Sequence, residues 1–138
     1  MNTPVSNKPT LLCVDDNPSV LKMYEVIFAG FGYAVTVANS GMAAVRQVHG
    51  QRPDLIILDH EVFGTANGEL ASRFRKVTAN VPLILVSACS SVVEDGSHFL
   101  DATLNKSSPI QVLIDQVETL LHASSAQRRS AGLVEHLA

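Results

Sequence analysis

Five short apolar runs, each separated from the next by a segment of helical spacing, constrain the fold of this chain more than any other feature. The runs are "TLLCV" (Thr10–Val14), "YAVTVA" (33–38), "LIIL" (55–58), "LILVS" (Leu83–Ser87) and the weaker "ATL" (102–104). Each has the length of a buried strand, and turn residues lie near it. In the first intervening segment, Val20, Leu21, Tyr24, Ile27 and Phe28 recur at helical spacing, and Gly30 and Gly32 suit a helix end. "MAAVRQVHG" (42–50) repeats the pattern, and "ELASRFRKV" (69–77) follows Asn67-Gly68. "SSVVE" (90–94) offers Ser91 and Glu94 as a capping box, and "SPIQVLIDQVETLLHA" (108–123) places Pro109 at an early helical position. Strands alternating with helices predict an α/β fold, a doubly wound five-stranded parallel sheet with five helices on its two faces, the fourth helix short.

A chain of 138 residues, 46% hydrophobic, can bury one core without disulfides or structural metal. The expected organisation is a flexible segment over 1–8, one domain over 9–122, and a mobile tail over 123–138, whose "ASSAQRRSAGLVEHLA" is polar and too short for a further domain. Cys13 and Cys89 sit in apolar surroundings and read as reduced core thiols. The opening "MNTPVSNKP" lacks the apolar core of a signal peptide, and no apolar run approaches the roughly 20 residues that cross a bilayer. A soluble, cytoplasmic protein without membrane insertion is the expectation. With a net charge of −3 and no basic block beyond "QRR" at 127–129, direct nucleic-acid binding is not expected.

In "LIILDHEVFG" (55–64) four apolar residues run straight into Asp59. An ionised carboxylate at the end of a buried strand needs a charge partner, because burying it alone costs several kcal/mol or more. In open parallel sheets the ligand site lies beyond the carboxyl ends of the strands. Asp15 and Asp16 follow the first strand, Asp59 ends the third, Ser87 ends the fourth and Lys106 comes just after the fifth, so all five belong to one rim. Three carboxylates there repel one another unless a cation joins them. Mg²⁺, a hard ion with oxygen ligands, fits that role, and Lys106 adds a second positive charge. Asp59 then stays ionised and nucleophilic, able to attack phosphorus and form an acyl phosphate.

"VDDNPSV", "PDLIILDHEV", "LILVSA" and "LNKSSP", in this order, resemble the receiver domain of two-component response regulators over roughly residues 8–122. The resemblance implies a flavodoxin-like strand order, 2-1-3-4-5. It makes Asp59 the phosphoacceptor, charged from a phosphohistidine on a sensor histidine kinase or a histidine phosphotransfer protein. It implies that Asp16 and Asp59 bind Mg²⁺, with Asp15 acting largely through water and the backbone carbonyl of Glu61 as a further ligand. Ser87 would then hydrogen-bond one phosphoryl oxygen and Lys106 would pair with another, and output would pass to a downstream protein target, with a homodimer on activation left open. Self-phosphorylation and self-dephosphorylation at Asp59, not turnover of a substrate, would be its chemistry.

Several residues depart from the pattern of that family. Val62-Phe63 replaces the usual Met-Pro, and "GTANG" reaches Gly68 one residue late. Ser107 stands where a proline normally follows the lysine, removing the chemical reason for a cis bond there. Thr103 occupies the place of an aromatic switch residue, and the interval from Ser87 to Lys106 is about a turn shorter than usual. The alternative reading is a receiver-like interaction module that works without phosphorylation. A third, an aspartate-nucleophile phosphatase suggested by "DHEV", is weaker, since in that class the nucleophile follows the first strand. His60 is read as tuning access to Asp59, and Glu61 as setting the rate at which water hydrolyses the acyl phosphate. His49, His98, His122 and His136 have no metal-ligand spacing.

Overall fold

The computed structural model describes residues 8–63, 68–88 and 102–137. The expected strands are present as β1 (Thr10–Val14), β2 (Ala34–Ala38), β3 (Leu55–Asp59), β4 (Leu83–Ser87) and β5 (Ala102–Asn105). They pair in the order β2-β1-β3-β4-β5, every pair parallel. Every residue of β3 and β4 is buried, whereas the edge strand β5 is half-exposed throughout. That difference explains the sequence pattern: a central strand covered on both faces reads as an unbroken apolar run, and an edge strand reads as a weak one.

Strand side chains alternate between two cores. Leu11, Cys13, Leu55, Ile57, Ile84 and Val86 face α1 (Pro18–Gly30) and α5 (Ile110–Leu137), meeting Leu21, Tyr24, Phe28, Leu113, Ile114 and Val117. Leu12, Val14, Ile56, Leu58, Leu83 and Leu85 face the other way, meeting Ala44 and Val48 of α2 (Gly41–Gly50) and Phe74 of α4 (Gly68–Val77). Local chemistry sets the helix ends. Asn17 caps α1, its side chain accepting from the Ser19 N–H at 2.9 Å, with Pro18 in the first turn. Ser40 caps α2 by accepting from the Ala43 N–H at 3.1 Å. Gly32 follows α1 with φ of 92°, a left-handed conformation that glycine adopts without steric cost.

Three features differ from, or lie beyond, the sequence expectations. A single helical turn, α3 (His60–Phe63), follows Asp59 directly. The short helix expected over 90–94 lies outside the described residues, as does Cys89. The last helix runs from Ile110 to Leu137, past His122. The Lys106–Ser107 bond is trans, since there is no cis peptide among the described residues. No described helix is long and apolar enough to cross a membrane.

Cys13 has no exposed surface, and burial pushes its thiol up to about 12, with Glu25 adding to the shift. The thiolate is the reactive form. Native protein at pH 8 should therefore leave the Cys13 peptide unmodified by iodoacetamide, and denaturant should expose it to full labelling. Rapid labelling of that peptide without denaturant would contradict the burial.

Candidate functional site

Parallel pairing carries the carboxyl ends of β1, β3, β4 and β5 to one rim. Register then sets the neighbours: Asp59 lies beside Val86, and Ser87 beside Asn105, with the Lys106 N–H donating to the Ser87 carbonyl at 2.8 Å. Lys106 therefore leaves the sheet next to the end of β4, one strand away from Asp59.

Asp15 and Asp59 are 1% and 2% exposed, values that exclude ordinary hydration of either carboxylate. The Lys106 ammonium lies 3.2 Å from Oδ2 of Asp15 and 3.2 Å from Oδ2 of Asp59, so one cation bridges both. Burial works against the ammonium charge, but the hydrogen bonds and charges of the two carboxylates outweigh it and raise Lys106 above its usual range. Each aspartate gives its other oxygen to the backbone. Oδ1 of Asp15 accepts from the Asn17 N–H at 2.9 Å, and Oδ1 of Asp59 accepts from the Glu61 N–H at 3.3 Å. These local bonds fix both carboxylates in place and leave the two Oδ2 atoms facing the rim. Neither Oδ2 has a hydrogen-bond partner apart from the ion pair with Lys106.

Asp16 is exposed, and its carboxylate closes a cluster in which ligand oxygens of Asp15, Asp16 and Asp59 lie within 4.8 Å of one another. One lysine cannot neutralise three carboxylates. The surplus negative charge, the all-oxygen donor set and the two Oδ2 atoms fit a hard divalent cation such as Mg²⁺. Ser87 is buried at the end of β4, and Glu61 is exposed on α3.

The structure thus brings Asp15, Asp16, Asp59, Ser87 and Lys106 to one rim, with Glu61 beside them through its backbone. Two contributors were not singled out in the sequence. Asn17 both caps α1 and holds Asp15, a role signalled by the Asp-x-Asn pattern ahead of Pro18. Asn105 accepts from the Ser107 N–H and hydroxyl, each at 2.8 Å, and shapes the loop that carries Lys106. Thr103 is half-exposed on β5, paired with Leu85, and has no ring there to move.

A family model for the response regulator receiver domain matches residues 11–118. The transcriptional regulatory protein GlrR of Escherichia coli (strain K12) is 28% identical over 135 residues, 92% of this chain and 30% of GlrR. The DNA-binding response regulator MtrA of Mycolicibacterium smegmatis is 32% identical over 84 residues, 61% of this chain and 36% of MtrA. The chain spans about a third of the length of these curated relatives. Among solved structures, the response regulator protein TrrA from Thermotoga maritima in complex with Mg²⁺–BeF superimposes with a TM-score of 0.72 at 28% identity, covering 81% of this chain and 98% of that one. A Francisella response regulator receiver domain superimposes with a TM-score of 0.74 at 27% identity, covering 85% of this chain and 99% of that one.

Proposed function

Because the chain belongs to the response regulator receiver domain family, we propose that it takes a phosphoryl group onto Asp59 and signals through a partner protein. The observation that carries this reading is the buried Asp59 carboxylate, held by the Glu61 N–H and facing Lys106 beside two further aspartates. An Asp59 oxygen attacks phosphorus in line with the leaving group. A P–O bond forms as the P–N bond of a phosphohistidine donor breaks, and the electron pair leaves on the histidine nitrogen. Lys106 moves its charge toward one phosphoryl oxygen, and the Ser87 hydroxyl donates to another.

Asp15, Asp16 and Asp59 would hold Mg²⁺, with the Glu61 carbonyl as a further ligand. When bound there, the ion supplies positive charge against the transferring oxygens, in chemistry that depends mainly on positioning and electrostatics. Glu61 is exposed two places after Asp59, and its role in this reading is to set the rate at which water hydrolyses the acyl phosphate. The donor is a sensor histidine kinase or a histidine phosphotransfer protein, and the output is a protein target in the cytoplasm. A module that works without phosphorylation has the missing ring at Thr103 in its favour. The complete set of Asp59, Lys106, Ser87 and acidic residues favours the working phosphoacceptor.

Incubation with acetyl phosphate and Mg²⁺ should add one phosphoryl group per chain by intact mass, and chelating the metal should stop the addition. An unchanged mass with Mg²⁺ in excess would refute the reading.

A further inference from the structure

A cleft of about 260 Å³ opens between α1 and the segment that joins β5 to α5, with Met23, Tyr24, Val86, Leu104, Lys106 and Leu113 among its lining residues. Tyr24 brings a phenol to this largely apolar wall, and the lysine that bridges Asp15 and Asp59 lines the same space. The Tyr24 side chain is 5% exposed, and its ring is braced from behind by Phe28, whose centroid lies 6.1 Å away. Phe28 in turn lies 6.1 Å from Tyr33. Long side chains of a helix lean toward its N-terminus. The N-terminus of α1 follows the carboxyl end of β1, where Asp15 and Asp16 sit, and Tyr24 shares one cleft lining with Lys106. Burial first, and then the charges of Asp15, Cys13 and Asp59, push the phenol up from its usual value. It therefore stays a neutral hydroxyl at physiological pH, able both to accept and to donate a hydrogen bond.

An ammonium has three donors, and the carboxylates of Asp15 and Asp59 occupy two of those of Lys106. During phosphoryl transfer the lysine exchanges one carboxylate oxygen for a phosphoryl oxygen. Its four-carbon stem is flexible, so something other than charge must keep the head group in place through that exchange. We propose that Tyr24 is a positioning residue for Lys106, its hydroxyl accepting a hydrogen bond from an ammonium N–H as the lysine exchanges a carboxylate oxygen for a phosphoryl oxygen; in the structure the ammonium pairs with Asp15 and Asp59. This rests on the phosphoacceptor reading of Asp59. It also places a ring on the α1 and α5 face of the sheet, where the charge of the site can reach α1, although Thr103 on the opposite face has none.

Tyr24→Phe keeps the ring and removes only the hydroxyl. With acetyl phosphate as donor, an Asp59 oxygen forms the new P–O bond as the donor's own P–O bond breaks and acetate departs with the electron pair. The rate of this step should fall about tenfold in the variant, the loss expected when a hydrogen bond to a charged group is removed. Mg²⁺ affinity should not change, because Tyr24 is not a ligand. The chain has no tryptophan and two tyrosines, so Tyr33→Phe leaves Tyr24 as the sole emitter. Its emission intensity should then change when beryllofluoride and Mg²⁺ are added. A Tyr24→Phe variant that phosphorylates at the wild-type rate overturns the role, as does a slower rate matched by weaker Mg²⁺ binding, which assigns Tyr24 to packing. Unchanged emission on adding the phosphoryl mimic overturns it as well. Wild-type protein that takes no phosphoryl group overturns the phosphoacceptor reading and this role together, whereas normal wild-type uptake with an equally fast variant overturns this role alone.

Discussion

Asp59→Asn is expected to take up no phosphoryl group from acetyl phosphate and Mg²⁺, so that its intact mass equals that of the untreated chain. The amide has the shape of the carboxylate but no anionic oxygen to attack phosphorus. Its neighbours cannot stand in for it. Asp15 is 1% exposed, with one oxygen held by the Asn17 N–H and the other facing Lys106, and Asp16 is exposed beyond the end of β1. The variant should remain folded. The Glu61 N–H still finds an oxygen at position 59, and Lys106 keeps Asp15 as a one-to-one partner, so urea denaturation should show a change of about 1 kcal/mol or less. That separation matters, because lost phosphorylation in an intact fold isolates the nucleophile. Phosphoryl incorporation in Asp59→Asn, mapped by peptide mass to residues 10–16, would move the acceptor to β1 and refute the assignment.

How much of this was legible in the sequence follows from what periodicity can report. Unbroken apolar runs marked β3 and β4, because strands covered on both faces need no polar alternation. The run "ATL" marked β5 only weakly, because an edge strand leaves its residues half-exposed. Parallel pairing then followed from the helices between strands, and it was enough to place Asp15, Asp16, Asp59, Ser87 and Lys106 on one rim. What spacing does not carry is which carboxylate the lysine meets. That depends on the register of β5 against β4, where Ser87 pairs with Asn105 and the Lys106 N–H is held at the Ser87 carbonyl. The result is a lysine shared between Asp15 and Asp59, whereas the sequence had assigned Lys106 to balancing Asp59.

The same limit hid α3 and Tyr24. "HEVF" has no cap signal and is too short for a helical period, yet with Asp59 accepting the Glu61 N–H the backbone turns at once into a helix. Tyr24 was read as one of the apolar positions of α1, and it does pack in the core. It also lines the cleft that Lys106 lines. A phenol in an otherwise aliphatic helix stripe is the one signal that could have drawn attention to it, since buried tyrosines usually find a use for the hydroxyl.

Lys106→Met should destabilise the metal-free protein by about 2–3 kcal/mol in urea denaturation. The variant leaves the buried carboxylates of Asp15 and Asp59 facing each other without their shared cation, and an unpaired buried charge is among the larger single-residue costs. The figure lies below the roughly 3–5 kcal/mol of a fully buried pair because the Lys106 side chain is 29% exposed, so water screens part of the attraction. Mg²⁺ should restore most of the loss, since it supplies positive charge to the same oxygens, and the variant should gain more stability from added Mg²⁺ than the wild type does. The pH dependence has a definite sign. The carboxylates raise the folded ammonium above its ordinary value of 10.5. Its stabilisation is therefore complete below 10.5 and is lost only as pH climbs through the higher folded value. The wild-type advantage over Lys106→Met should stay level across neutral pH and narrow above 10.5. An advantage that vanishes between neutral pH and 9, or one that Mg²⁺ leaves unchanged, would show that the lysine stabilises the fold through packing of its stem and not through the two aspartates.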